Sequence, residues 1–535
     1  MRRPHLTQRH PLARASAVWL LLALTLGCGL EQAPASGDDQ GAPSGSPPGS
    51  LPGALTGQRP DWGGCSPSEG QGRPRPLPDG TRWECATVRV PVDYARPHGA
   101  TLPMRVVRAR AGSAEGRAHR PALVVNFGGP GASGVATLPA TGDAYTRLHR
   151  RYDLVSFDPR GVGASRGVRC LTDRAMDRHL SFDGSPDTAR EARRLLEGQR
   201  RFAAACRHRS DASLLPHLTT ANTARDLDLL RRALGQRKLH YLGFSYGSLL
   251  GAVYAHLFPQ HTGRTVWDGV VDPTLGPAAG SLAQARGFEQ ALDHALRDCA
   301  GRRVACPLGE DPGRARQRVA ALLRHLEDRP LPVPGGRRLT ASLARDGLAQ
   351  GLYGKDLWGP LTHALARARA GDGRPLLRLA DLLNGRGPQG SYDHGAAAMV
   401  AVGCADSTSR PDLAKLRSTA SAFARQAPLF GPTAAWSGAR CEGWPTPSDS
   451  DQPVVSAPSA GPVLLVGTTG DPATPYPGTD HMRQALGNQR TRQLTYQGEG
   501  HGAWSAGDPC VRQHVERYLL TGRLPRDGTT CGTGR

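Results

Sequence analysis

The chain has 535 residues, with 67 Lys and Arg against 46 Asp and Glu, a net charge of +21. An apolar fraction of 38% beside 21% charged residues excludes wholesale disorder and a polytopic membrane protein. The 67 glycines and 45 prolines follow no G-X-Y period or longer repeat, which excludes collagen and solenoids. The positive charge is nearly all arginine spread along the chain, with no basic block interleaved with stacking aromatics. No nucleic-acid partner is therefore expected, whereas an anionic cell wall would attract such a surface.

The first element in chain order is an export signal, segment 1–28. Arg2, Arg3, Arg9 and Arg14 form a basic region before Ala17–Leu26, an apolar stretch too short to span a bilayer. Leu26-Gly27-Cys28 has the form of a lipoprotein cleavage site with Cys28 as the lipid anchor, although Thr25 stands where leucine is usual. Ala33-Pro34-Ala35 is an alternative cleavage site, and Arg2-Arg3 is a twin-arginine pair in poor context. A secreted or cell-surface location is expected, with no membrane contact beyond that anchor. Residues 29–60, rich in Gly, Pro and Ser, read as a disordered linker. The folded body is expected from about Asp61.

With Cys28 set aside, the remaining cysteines are Cys65, Cys85, Cys170, Cys206, Cys299, Cys306, Cys404, Cys441, Cys510 and Cys531. An even number in an exported chain points to disulfides, and bridging sequence neighbours in that order is the simplest connectivity. Each bridge would contribute ~2–4 kcal/mol. No Cys-x-x-Cys spacing suggests zinc, and no metal is expected.

Ala86–Val92 and Met104–Ala109 form an expected antiparallel opening pair. Pro121–Phe127, Asp153–Asp158, Lys238–Phe244, Arg264–Val271 and Pro462–Thr468 are apolar runs without alternation, the mark of parallel strands covered on both faces. Thr223–Leu234 is an amphipathic helix between two of them. The fold class is α/β, a mostly parallel central sheet with helices on both faces. Core segments span 61–272 and 454–535. Between them, 273–453 loses the strand rhythm and reads as a helical cap, for example at Gly287–Arg297 and Ala315–Leu326. Such a cap would lie over the C-terminal ends of the strands, where open sheets bind ligands.

Gly243-Phe244-Ser245-Tyr246-Gly247 matches Gly-x-Ser-x-Gly, a weak pattern in a chain this rich in glycine; Gly163-Ala164-Ser165-Arg166-Gly167 matches it too. Context separates them. Ser245 follows an apolar strand and precedes the helical run Ser248–Phe258, the strand–turn–helix that a nucleophile elbow needs. Ser165 has no such helix and reads as a loop residue. Gly128-Gly129-Pro130-Gly131 ends an earlier strand, where the Gly129 amide could join that of Tyr246 in an oxyanion hole. Asp471 follows the strand Pro462–Thr468, and His501 sits in a loop after Gln493–Tyr496. That completes the order Ser, Asp, His, with Asp471 orienting the imidazole that takes the Ser245 proton. Asp268 and Asp272 are alternative acids.

GGPG, DPRGVGAS, GFSYGSLLG, GDPATP, GEGH and the closing stretch Cys510–Cys531 together resemble the exported actinobacterial tripeptidyl aminopeptidases and related proline iminopeptidase-type α/β-hydrolases. The resemblance runs from about Trp62 to Cys531. It implies the α/β-hydrolase fold and a cofactor-free serine exopeptidase that releases short peptides, tripeptides above all, from free N-termini. Ser245, Asp471 and His501 would be the triad, and Thr474 a supporting position.

Recognition of a free ammonium calls for a carboxylate near the site. Asp406, Glu442 and Glu499 are the candidates, the first two because a Cys404–Cys441 bridge would bring them close together. The expected partners are peptides with free N-termini, and the expected state is a monomer. An esterase or lipase with the same triad, and a surface-binding lipoprotein without turnover, are the alternatives.

Overall fold

The computed structural model describes residues 50–65, 74–112, 120–302, 305–445 and 453–532. The expected export signal, the expected lipid-anchor site Cys28 and most of the expected linker lie outside the described residues. The folded body begins before Asp61. Leu55 is buried and Leu51 half-buried against the main core, and the Gln58 side chain bonds both the N–H and the carbonyl of Arg89. Two leucines and one amide in an otherwise small-residue stretch suffice to dock it.

The strands, in chain order, are β1 (Gly63–Gly64), β2 (Trp83–Pro91), β3 (Thr101–Ala109), β4 (Ala122–Asn126), β5 (Asp153–Phe157), β6 (Leu239–Phe244), β7 (Thr262–Asp268), β8 (Leu331–Pro332), β9 (Arg338–Leu339), β10 (Val463–Gly470), β11 (Arg492–Glu499) and β12 (Thr529–Cys531). Ten of them form one sheet in the order β1-β2-β3-β5-β4-β6-β7-β10-β11-β12. Pairing is parallel from β5 through β12 and antiparallel at the β1–β3 edge, including β3 against β5. All of β4 is buried, as its unbroken apolar run requires, while β2 and β3 alternate more.

The expected strand Arg264–Val271 ends at Asp268. Gly269, at φ +69°, turns the chain out of the sheet there, and Gly269–Val271 form no strand. That early exit puts Asp268 at the C-terminal edge of the sheet, next to the elbow.

Among the described residues, the segment between β7 and β10 is mostly helical, with the short β8–β9 hairpin and an isolated bridge between Arg386 and Tyr392. Its helices have a core of their own, with Leu292, Leu296, Val319, Leu323, Leu348, Leu361 and Leu376 fully or almost fully buried. Ala473, two residues beyond Asp471, belongs to the same cluster, so the helical layer packs onto the end of β10. Five disulfides join Cys65–Cys85, Cys170–Cys206, Cys299–Cys306, Cys404–Cys441 and Cys510–Cys531, the neighbour pairs expected from the sequence. Among the described residues no helix is long and apolar enough to cross a membrane.

Candidate active site

Ser245 stands between β6 and the helix Tyr246–Leu257 at φ 55° and ψ −125°. A non-glycine residue there is strained and persists only where its surroundings enforce it. The enforcement is steric. A Cβ on Gly243 would lie 2.4 Å from the Gly247 carbonyl oxygen, and one on Gly247 would lie 2.8 Å from Asn126 Oδ1. Ser245 occupies the N-cap position but makes no capping bond with its side chain, so the hydroxyl is not engaged in holding the helix. The decoy serine differs: Ser165 is buried, and its Oγ accepts the Arg105 N–H at 2.8 Å.

The loop after β4 lies directly on this elbow. A Cβ at Gly128 would come within 2.5 Å of the Phe244 carbonyl oxygen, 3.0 Å of Ser245 Cβ and 3.1 Å of the Tyr246 nitrogen. Asn126 Oδ1 accepts the Gly128 N–H at 3.0 Å, which sets the loop's entry. Among the described residues, the Gly129 N–H has no acceptor, and the Tyr246 N–H opens a helix where no intrahelical partner exists. One amide without an acceptor thus lies in the elbow and one in the glycine loop packed on it.

Asp471 follows the last residue of β10 and is buried. Its carboxylate accepts the Ala473 and Thr474 N–H groups at 2.9 Å each and the Thr474 hydroxyl at 2.9 Å. His501 Nδ1 meets both its oxygens, at 3.0 and 2.9 Å. The other side of the imidazole loop is held by the cap: the His501 N–H donates to the Tyr353 carbonyl at 2.8 Å, and the Tyr353 ring stands edge-on to the imidazole at 5.5 Å. Burial opposes a charge on His501. The Asp471 carboxylate, by charge and by hydrogen bond, and the Asp268 charge outweigh it, and the imidazole is held above the ordinary 6.5.

Asp268, the alternative acid, does not touch the imidazole by hydrogen bond. It accepts the Ala503 and Trp504 N–H groups at 3.0 and 2.8 Å, just beyond His501, and its own carbonyl accepts the Ser245 N–H at 3.0 Å. Burial pushes its carboxyl up to about 6. Asp272 is engaged by Thr274 and by His481 at 2.6 Å. A Cβ at Gly269 would lie 2.9 Å from His501 Cε1, so the chain leaving Asp268 runs beneath the imidazole. Ser245 and His501 are therefore drawn to one residue, from two directions.

The three carboxylates expected to read an ammonium are engaged elsewhere. Asp406 accepts the Thr220 N–H at 2.7 Å and the Thr220 hydroxyl at 2.6 Å, and that hydroxyl also contacts the Tyr246 hydroxyl at 2.6 Å. Burial pushes Asp406 up to about 6. Glu442 pairs with Arg200 at 2.8 Å, and Glu499 with His294 at 2.8 Å. The Cys404–Cys441 bridge does form, but Asp406 and Glu442 are bound to different helices.

Residues missed in the sequence surround a cavity of about 470 Å³ that runs from Gly129, Pro130 and Gly131 to Tyr353. Two carboxylates line it. Asp346 accepts one bond from Asn384 at 2.9 Å, and Asp393 accepts the Gly395 N–H at 2.9 Å. Burial raises the pKa of both. Nothing in the sequence marked Asp346, which sits inside a helix; Asn126, a polar residue ending an apolar strand, was a usable signal.

The DPRG motif is structural. Asp158 accepts from Ser133 Oγ at 2.6 Å and the Val135 N–H at 3.1 Å, anchoring the helix behind the glycine loop. Arg160, fully buried, pairs with Asp226 through two bonds of 2.8 and 2.7 Å. Cys510, His514 and Cys531 form a cluster within 4.8 Å, but the two sulfurs are bonded to each other and cannot serve as thiolate ligands.

The family model described as TAP-like protein matches residues 427–531. The chain is 36% identical over 491 residues to serine protease Hip1 of Mycobacterium tuberculosis, covering 89% of this chain and 91% of that protein. It is 32% identical over 480 residues to the tripeptidyl aminopeptidase of Streptomyces lividans, covering 88% and 86%. It is also 35% identical over 461 residues to carboxylesterase B of Mycobacterium tuberculosis, covering 84% and 86%.

Proposed function

As the chain belongs to the tripeptidyl-aminopeptidase-like family of α/β-hydrolase serine peptidases, we propose that it releases tripeptides from the free N-termini of exported or environmental peptides. The observation that carries this reading is the Thr474–Asp471–His501 chain of hydrogen bonds, together with an elbow serine whose hydroxyl is not used for capping.

Ser245 Oγ attacks the carbonyl carbon of the scissile bond while His501 takes its proton. The charge that develops on the carbonyl oxygen falls to the amides of Gly129 and Tyr246, each worth ~2.7–4 kcal/mol in the transition state. The carbon–nitrogen bond then breaks, His501 protonates the departing amine, and the tripeptide remains as an ester on Ser245. Water, losing a proton to His501, attacks that ester and frees the short product. Asp471 holds the imidazole's Nδ1 proton and stabilises the imidazolium. Asp346 and Asp393, in the cavity beside the glycine loop, are the carboxylates available to the substrate ammonium. The five disulfides support an extracellular site of action.

The test compares an unblocked tripeptidyl p-nitroanilide with its N-acetylated form and with short acyl p-nitrophenyl esters. Cleavage confined to the unblocked peptide and lost in Ser245→Ala is the expected result. The esterase reading is favoured by the similarity to carboxylesterase B; faster turnover of the esters, indifferent to an N-terminal block, would establish it. A folded protein that no fluorophosphonate labels at Ser245 would leave the non-catalytic reading.

A further inference from the structure

A second cavity, of about 540 Å³, adjoins the first: both are lined by Pro130 of the glycine loop and by Arg440. Their charges differ. The first carries the carboxylates of Asp346 and Asp393 beside the guanidinium groups of Arg345 and Arg440. The second carries Arg410, Lys415 and Arg440 and no Asp or Glu among its lining residues.

The three cations are not equivalent. Arg410 is engaged by the carbonyls of Ser407 and Ser409 at 2.8 and 2.9 Å and is part of the wall. Arg440 is solvent-accessible and, among the described residues, makes no hydrogen bond or direct ion pair. The Asp346 carboxylate is the nearby charge that favours its protonated form. Glu442, the next residue but one, is paired with Arg200 instead. Lys415 is exposed at the start of the helix Leu413–Ala424. Met399, Val400 and Phe423 give the wall an apolar part, and Ser281, Thr419 and Ser437 add hydroxyls.

A guanidinium at a cavity wall with no hydrogen-bonded partner is open to a ligand that supplies the counter-charge, and a carboxylate matches its fork with two parallel bonds. We infer that the second cavity is a carboxylate-binding subsite, in which Arg440, aided by Lys415, reads a negative charge on the peptide substrate. The charge is either the C-terminal carboxylate of a short peptide or an acidic side chain. The inference rests on the peptidase reading above and adds a polarity to it: ammonium toward Asp346, carboxylate toward Arg440, with Pro130 between.

Two matched pairs of free-N-terminus peptides distinguish the sources: pentaalanine as the acid against its C-terminal amide, and Ala-Ala-Ala-Glu-Ala-amide against its Gln counterpart. Binding is measured calorimetrically to Ser245→Ala protein, and kcat/KM on the active enzyme. The expected result is a preference of about tenfold or more for the charged member of one pair. That ratio should fall toward one in Arg440→Gln, persist in part in Arg440→Lys, and shrink in Lys415→Gln, an exposed change that does not threaten folding. Equal binding of both members in both pairs overturns the inference, as does a preference that survives in a folded Arg440→Gln protein. If no peptide is cut yet charge-dependent binding is seen and disappears with Arg440→Gln, the subsite stands and the peptidase reading fails.

Discussion

Asp268 and Ser245 are joined through the backbone, the Asp268 carbonyl accepting the Ser245 N–H at 3.0 Å, while the Asp268 carboxylate accepts the Ala503 and Trp504 N–H groups beyond His501. One residue at the end of β7 therefore sets the separation of serine and imidazole without touching either reacting atom. Asp268→Asn replaces an oxygen facing an N–H donor by an NH₂ group. It should cost about 1–3 kcal/mol of stability. It should also lower kcat more than it raises KM, because the imidazole loop shifts while the substrate cavity does not. Urea melts and steady-state kinetics on the tripeptidyl p-nitroanilide check this; a variant with full kcat would remove Asp268 from any positioning role.

The pH–rate profile follows from the raised His501 pKa. Only the neutral imidazole can take the Ser245 proton, so kcat/KM is lost as the pH falls through a value above the ordinary 6.5. Asp471→Asn should lower kcat on the order of 10⁴-fold, because the imidazole loses the partner that fixes its tautomer. An acid limb well below pH 6.5 in the parent enzyme would contradict the assignment of His501 as base.

Thr474 donates its hydroxyl to Asp471 Oδ2 at 2.9 Å and lies 3.3 Å from His501 Nδ1. Thr474→Val keeps the shape and deletes the donor, and about a tenfold loss of kcat/KM is expected. Thr474→Ser keeps the donor and should restore most of it. Equal activity of the valine and serine variants would show that packing alone matters at this position.

Asp406 titrates in a useful window. Its folded value of about 6 stands above the ordinary 3.8, so between these the folded protein holds a proton that the unfolded chain has released. Its contribution to stability is therefore present at low pH and is lost as the pH rises through about 6. The unfolding free energy of the parent relative to Asp406→Asn should decline between about pH 4 and pH 6 and level off above. A difference independent of pH over that range would contradict the burial argument.

The Arg160–Asp226 pair is fully buried, and Arg160 also donates to the carbonyls of Pro91, Val92 and His217. Arg160→Met should destabilise by about 3–5 kcal/mol, leaving a buried carboxylate unpaired. Adding Asp226→Leu should recover only part, because the Pro91 and Val92 carbonyls still lack the Arg160 donor. Full recovery in denaturant melts would mean those carbonyls find other partners.

What could be read before any coordinates were known was local or periodic. Unbroken apolar runs located β4, β5, β6, β7 and β10 because a strand covered on both faces must be apolar throughout. Ser245 stood apart from Ser165 because only one of two identical glycine patterns joins a strand to a helix. The neighbour order of the cysteines matched the bridges because each pair closes a short loop. The docking of residues 50–60 was missed, since two leucines among small residues carry no period.

The sequence by itself determined the strands of the sheet and the strand–turn–helix at Ser245, because these depend on short runs whose chemistry is written residue by residue. The tertiary structure alone decided which carboxylates remain available. Asp406, Glu442 and Glu499 are taken up by Thr220, Arg200 and His294 from distant segments, while Asp346 and Arg440 are left facing cavities. Whether a charge is neutralised or exposed to a ligand depends on neighbours brought together only by folding, and no local pattern records them.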